Sequence, residues 1–162
     1  MTTAAFTAAG TTLGVSATAP GTFDASGYEA LTLVDIGEIT DYGSLGRVYN
    51  EITHNPVADR ATYKFKGSYN EGTMSLTLAK AATDAGQIVL DAALDSDADY
   101  YFGVELNDNP AAGTTTNTNT ILYFPAKVMS APNAIGSVDS IVGRTTDLSI
   151  SGSIVEVAAV FA

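Results

Sequence analysis

ATYKFKGSYNEGTMSLTLAKAATDAGQIVL, residues 61–90, is the stretch from which the fold is read. Its first strand-like run, ATYKFKGSY (61–69), puts Tyr63 and Phe65 on one face and Lys64 and Lys66 on the other, the period-two pattern of a β-strand. GTMSLTLAK (72–80) repeats it, with Met74, Leu76 and Leu78 on one side and Thr73, Ser75 and Thr77 on the other. Between them, Ser68-Tyr69-Asn70-Glu71-Gly72 reads as a hairpin connection in which Gly72 supplies a positive φ. A helix follows. Asp84 is placed to cap it, and Gln87 completes a capping-box-like pair. Ile88, Val89, Ala92 and Ala93 form an apolar stripe, joined by Leu90 and Leu94 at i,i+4, and the pattern fades at Asp95-Ser96-Asp97.

Further strands lie on both sides. TTLGVSATA (11–19) stops at Pro20-Gly21, and ALTLVDIGEIT (30–40) carries Leu31, Leu33, Ile36 and Ile39 with a bulge expected at Gly37. Downstream come DYYFGVEL (99–106), TILYFPAKVMS (120–130) and TTDLSISGSIVEVAAV (145–160). Pro125 lacks an amide donor, so it belongs at an edge, bulge or bend. The Gly/Thr/Asn-rich run from Asn107 to Thr120 reads as a mobile loop, and a short connection holds Pro132 and Gly136. Residues 1–10 are small, polar and unpatterned, a flexible N-terminal arm, which leaves 11–162 as a single β-domain. The sum is about seven strands and one helix: a mainly β protein, a β-sandwich or half-barrel with one flanking α-helix.

Composition narrows the function. Ala, Thr, Gly and Ser make up 73 of 162 residues, and charged residues are 15% of the chain, against roughly 25% in ordinary domains. Few charges guard the strand edges, as expected if those edges pair with other copies. With no cysteine, disulfide scaffolds, zinc fingers, Fe–S clusters and thiol nucleophiles are excluded. The net charge of −11 argues against a surface that grips phosphate backbones. The start MTTAAFTAAG lacks the basic and apolar regions of a secretory signal, and no run of apolar residues is long enough to span a membrane.

No catalytic motif emerges: GxSxG, HExxH, Walker and dinucleotide-binding patterns are all missing. His54, the only histidine, sits in an Asn-Pro context typical of a loop hydrogen-bonder. Asp95, Asp97 and Asp99 mimic the start of a calcium loop, but Tyr100 stands where Gly is needed and Leu106 where Glu is needed. Acid pairs of the glycosidase kind come without any Trp for a sugar cleft. The chain is therefore expected to be no enzyme, with no cofactor and no metal. The segment from Gly37 to Asp59 draws more interest, being too long for a turn and too apolar for a disordered loop. Tyr42, Leu45, Arg47, Tyr49, Ile52 and His54 in it are candidate subunit-interface residues, because Tyr and Arg carry interface energy. Lys64 and Lys66 join them, as cations on one strand face available to a neighbour's acids.

KGSYNEGTMSLTLAKAATDAGQIVL (66–90) resembles the tail tube proteins of long-tailed bacteriophages: Lys66-Gly67-Ser68 at a strand end, a second strand at Gly72–Leu78, and a helix opening with Asp84-Ala85-Gly86-Gln87. GEITDYGSLGRVYNEITH (37–54) looks like that family's long inter-ring loop, which places the loop at 37–59. The resemblance implies a structural subunit of the virion tail, assembled in the host cytoplasm. Homo-hexameric rings would close their sheets into one inner β-barrel and stack into a tube that conducts viral DNA without binding it specifically. Tail terminator, tape measure and distal tail proteins would be the partners, with no membrane. Two alternatives remain: the tube protein of a contractile injection or type VI secretion-like machine, and a secreted carbohydrate-binding adhesin.

Overall fold

The computed structural model describes residues 5–109 and 116–161. Along the chain run β1 (Thr12–Ser16), α1 (Ala25–Glu29), β2 (Val34–Asp35), β3 (Ile39–Asp41), β4 (Val48–His54), β5 (Tyr63–Asn70), β6 (Thr73–Ala79), α2 (Ala85–Leu94), β7 (Tyr100–Glu105), β8 (Ile121–Ser130), β9 (Asn133–Ala134), β10 (Gly143–Ile150) and β11 (Val155–Val157). One antiparallel sheet has the order β2-β1-β7-β8-β10-β6-β3, with β11 added to β8 and β9 to β10, while β4 and β5 form a separate hairpin. The architecture is the expected mainly β half-barrel with a flanking helix.

What curls the sheet is its connectivity. β2 and β3 lie at opposite edges of the sheet yet are consecutive in the chain, joined through Ile36, Gly37 and Glu38. Ile36 N–H donates to Leu13 O on one edge at 2.8 Å, and Glu38 O accepts from Ala79 N–H on the other at 2.9 Å. Glu38 takes a positive φ of 61° to make the crossing. The N-terminus of α2 seals this seam. Asp84 caps the helix by accepting from Gln87 N–H, and its carboxylate also accepts from Gly37 N–H. The Gln87 side chain is fully buried; its amide donates to Ala79 O and Gly37 O, and its oxygen accepts from Ala81 N–H. The reciprocal capping box is thus replaced by a bridge from helix to seam.

Alternation fills the interior. Leu13, Val15, Met74, Leu76, Leu78, Phe102, Phe124 and Leu148 point inward with Leu90 and Ala93 of α2, and the Phe102 and Phe124 rings stack 5.6 Å apart. The opposite face of β7 and β8 carries a second cluster, Tyr101 and Tyr123 under Tyr28 of α1. Burial, followed by the charges of Tyr101 and Asp99, pushes the Tyr28 hydroxyl up to about 12. Pro125 stands where β10 and β11 part company along β8: Ser151 N–H donates to its carbonyl at 3.0 Å, and any Cβ on Gly152 would lie 2.7 Å from the proline ring.

Several expectations need correction. β5 does not turn back onto β6; it pairs with β4, while β6 is flanked by β10 and β3. Gly72 does adopt φ 88°, but there the chain passes from one sheet to the other. The 37–59 segment is not one long loop: it holds two strands, β3, which pairs with β6, and β4, which pairs with β5. On α2 the buried face is Gly86, Gln87, Leu90 and Ala93, while Ile88 is 54% exposed. Contact of Gly86 with the seam backbone fixes this rotation. Of the 107–120 run, residues 110–115 fall outside those described, as do residues 1–4 of the arm. The run's described ends are held: Asn109, itself buried, donates to Thr118 O and Val160 O, and Asp108 accepts from Thr120. Within the arm, Asn107 donates to Ala9 O.

A Cβ at position 86 would sit 2.4 Å from Asp35 O and 2.5 Å from Ile36 Cα. Gly86→Ala, which on a free helix would stabilise, is expected here to cost about 1–3 kcal/mol by overpacking, read from the urea midpoint. At the other side of α2, Asp91 accepts from the buried Arg144 and from Lys80, the latter at 3.2 Å. Burial raises the Asp91 pKa, but the hydrogen bonds from Arg144 and Lys80 outweigh it and hold the carboxyl below its ordinary 3.8. A depressed folded pKa gives stability that is present above the unfolded value and lost as pH falls through the folded one. Asp91→Asn is therefore expected to be less stable than wild type at neutral pH. The gap should narrow only below about pH 4, as followed by thermal unfolding across pH.

Candidate assembly surfaces

The β4–β5 hairpin stands apart from the sheet, with almost every residue of both strands exposed. Its register sets Ile52 against Phe65 and His54 against Tyr63 on one face, and Glu51 against Lys66 and Thr53 against Lys64 on the other. A register shift between Tyr49 and Glu51 then brings Tyr49 opposite Tyr69. The polar face is stitched along its length. Lys64 Nζ lies 3.3 Å from Glu51, Lys66 Nζ stands 4.7 Å from the centre of the Tyr49 ring, and the Tyr49 and Tyr69 rings are 5.4 Å apart. The other face offers Val48, Ile52, Tyr63 and Phe65 to solvent.

Arg47 anchors the foot of this hairpin. Its guanidinium donates twice to the buried Glu71, at 2.9 and 2.5 Å, and once to Tyr49 OH at 3.3 Å, and lies 4.0 Å from the centre of the Tyr69 ring. The hydrogen bonds to Glu71, then Tyr49, raise the Arg47 pKa further, so the group stays charged. A fork against one carboxylate is a charge-assisted contact that fixes direction as well as distance.

Of the eight residues picked from sequence, Arg47, Tyr49, Ile52, His54, Lys64 and Lys66 are gathered on this hairpin. Tyr42 and Leu45 are not: they are half-buried against the core, and Tyr42 OH donates to Thr11 O at 2.6 Å. Burial, then the charge of Asp35, raises the Tyr42 pKa. With Phe6, Met74, Val104 and Leu122 they line an apolar cavity of about 350 Å³. Sequence reasoning missed Val48, Tyr69 and Glu71. The available signal was Val48-Tyr49 alternating into Ile52 and His54, a strand pattern hidden among polar residues.

A second surface is the outer face of the β6–β10 ladder, where Thr77 opposes Thr145, Ser75 opposes Asp147 and Thr73 opposes Ser149. Asp147 accepts from Ser75 at 2.5 Å and from Ser130 at 2.9 Å. These bonds, Ser75 first, hold its carboxyl below the ordinary range. The ladder itself is hydroxyl-lined, and beside it on β8 Lys127 stands opposite Ser149 and is tied to Asp99 at 3.0 Å. Among the described residues, no group of three or more His, Asp or Glu side chains is arranged to hold a metal. No described helix is long and apolar enough to cross a membrane.

Known structures share this architecture. A chain of the anti-feeding prophage baseplate, solved with sixfold symmetry, matches with a TM-score of 0.68 at 12% identity, over 98% of both chains. The SPP1 tail tube matches with a TM-score of 0.62 at 13% identity, over 93% of this chain and 78% of that one. No protein-family model matches the sequence, and no curated protein matches it. The likeness defines the class by backbone alone: the fold of a phage tail tube and of a prophage baseplate chain.

Proposed function

We propose that this protein is the structural subunit of a tail tube. Copies join side by side into rings, and rings stack into a hollow conduit for viral DNA. The observation that carries the proposal is the β4–β5 hairpin. A two-stranded hairpin wet on both faces is marginally stable by itself, yet this one exposes Val48, Ile52, Tyr63 and Phe65 and is aimed by the ion pair of Arg47 with the buried Glu71 at its foot. Packing on a neighbouring copy supplies the missing burial. The sixfold symmetry of the anti-feeding prophage baseplate supports a six-membered ring. Its match over 98% of both chains supports a second version of the proposal, the tube of a contractile injection machine.

The β6–β10 hydroxyl ladder is assigned to the lumen. Duplex DNA carries one negative charge per ~1.7 Å of axis. A wall of Thr and Ser, with Asp147 satisfied by Ser75 and Ser130 and the adjoining Lys127 tied to Asp99, offers phosphates no unpaired counter-charge, so DNA slides.

Electron microscopy of the concentrated protein is expected to show rings or tubes. Arg47→Ala and Tyr49→Ala should keep the wild-type circular dichroism spectrum and fail to form tubes; normal tubes from both would count against the hairpin as the stacking element. Thr145→Lys should still assemble, but its tubes are expected to retain duplex DNA at low salt and release it as salt rises, while wild-type tubes retain none. Equal retention by the two would remove the ladder from the lumen.

A further inference from the structure

We infer that the β9–β10 connection, residues 135–142, is the socket into which the β4–β5 hairpin of a second copy docks. The inference rests on the stacked-tube proposal and names the acceptor surface that it leaves open.

Placement comes first. The β6–β10 ladder is antiparallel, pairing Thr73 with Ser149 at one end and Ala79 with Gly143 at the other. The hairpin enters β6 at the first end, where Gly72 O accepts from Ile150 N–H. The 135–142 connection enters β10 at the second end, where Lys80 N–H donates to Val142 O. The two surfaces therefore lie at opposite ends of a ladder roughly 20 Å long. A shift along the ladder carries the hairpin of one copy onto the connection of the next. Such a contact is head-to-tail and does not close on itself, so it propagates.

Chemistry agrees with placement. The connection is a built loop rather than a loose one: Asn133–Ala134 pairs with Gly143–Arg144, and Ser140 N–H donates to Ser137 O at 3.1 Å. It nevertheless turns its apolar side chains out, with Ile135 72%, Val138 100% and Ile141 82% exposed. The exposed face of the hairpin, Val48, Ile52 and Phe65, is of matching character.

Charge selects which surfaces meet. Among the described residues, five of the seven basic side chains are paired with acids of the same chain; Arg60 and Lys66 form no ion pair, Arg60 in the connection between the hairpin's strands and Lys66 over Tyr49 on the face opposite Phe65. Residues 48–70 carry three basic against two acidic side chains on a chain of net charge −11. The connection's one charge is Asp139, which forms no ion pair among the described residues. A symmetric hairpin-to-hairpin contact would oppose like charges, whereas hairpin to connection opposes unlike ones.

The absence of cysteine in the natural chain makes a direct test available. Phe65→Cys and Val138→Cys are introduced together and singly, and assembled protein is oxidised and run without reductant. The double variant is expected to give a ladder of covalent multimers, each copy linked to the next by a 65–138 disulfide identified by mass spectrometry. An equal mixture of the two single variants should stop at dimers. In parallel, Val138→Asp should leave the circular dichroism spectrum and melting curve unchanged and raise the concentration needed for assembly at least tenfold. Particles visible by microscopy without any 65–138 link, or Val138→Asp assembling like wild type, would overturn the socket while leaving the tube proposal standing. No particles from the wild-type protein at any concentration would overturn both.

Discussion

Three residues, Ile36, Gly37 and Glu38, hold the two edges of the sheet together. They pass from β2 on one edge to β3 on the other while bonding to β1 and β6 as they cross. The crossing is too short to carry its own turn, so its polar groups must be met by something else. Asp84 and the buried Gln87 at the head of α2 meet them. The position of the helix, the curl of the sheet and the close approach at Gly86 all follow. A buried polar group left unmet costs about 1–3 kcal/mol, a large fraction of a domain's net stability. The seam and the helix therefore stand or fall together.

Closing the sheet over its own core frees the rest of the chain from holding the fold. The hairpin leaves that body at the Arg47–Glu71 pair and contributes little to the interior. Its apolar residues meet only one another across the two strands and stay exposed in the monomer. The β6–β10 face, by contrast, is hydroxyl-lined and needs no cover. One molecule thus carries a surface that gains by being covered and a surface that does well in water. That pairing suits an assembly with an inside and an outside.

Charge is distributed in the same spirit. Most basic side chains are spent on internal ties, Arg144 and Lys80 to Asp91, Lys127 to Asp99 and Arg47 to Glu71. What remains is an acidic body and a hairpin of opposite sign. In the proposed stack, like bodies repel at long range and the hairpin brings the attractive contact. Screening at physiological salt shortens that reach to ~8 Å, so apolar burial must supply the remaining affinity.

Much of this was legible in the sequence. The alternation of Met74, Leu76 and Leu78, the Asp84 cap and the position of Pro125 are local facts, fixed by backbone period, side-chain reach and a missing amide donor. They determined a mainly β chain with one flanking helix, and the Tyr- and Arg-bearing segment after Gly37 marked the first strand of the hairpin. Strand partnership was not legible. Tyr63–Asn70 alternates as well as Thr73–Ala79, and nothing in the period says that one is exposed against β4 while the other lines the core between β10 and β3. Nor does helical period say that Gln87 is buried and Ile88 is not; the seam decides that, through contacts 50 residues away in the chain. Sequence set what each segment could be, because propensity and period act over a few residues. The tertiary structure alone decided which segments meet, because pairing depends on where distant edges find their unfilled hydrogen bonds.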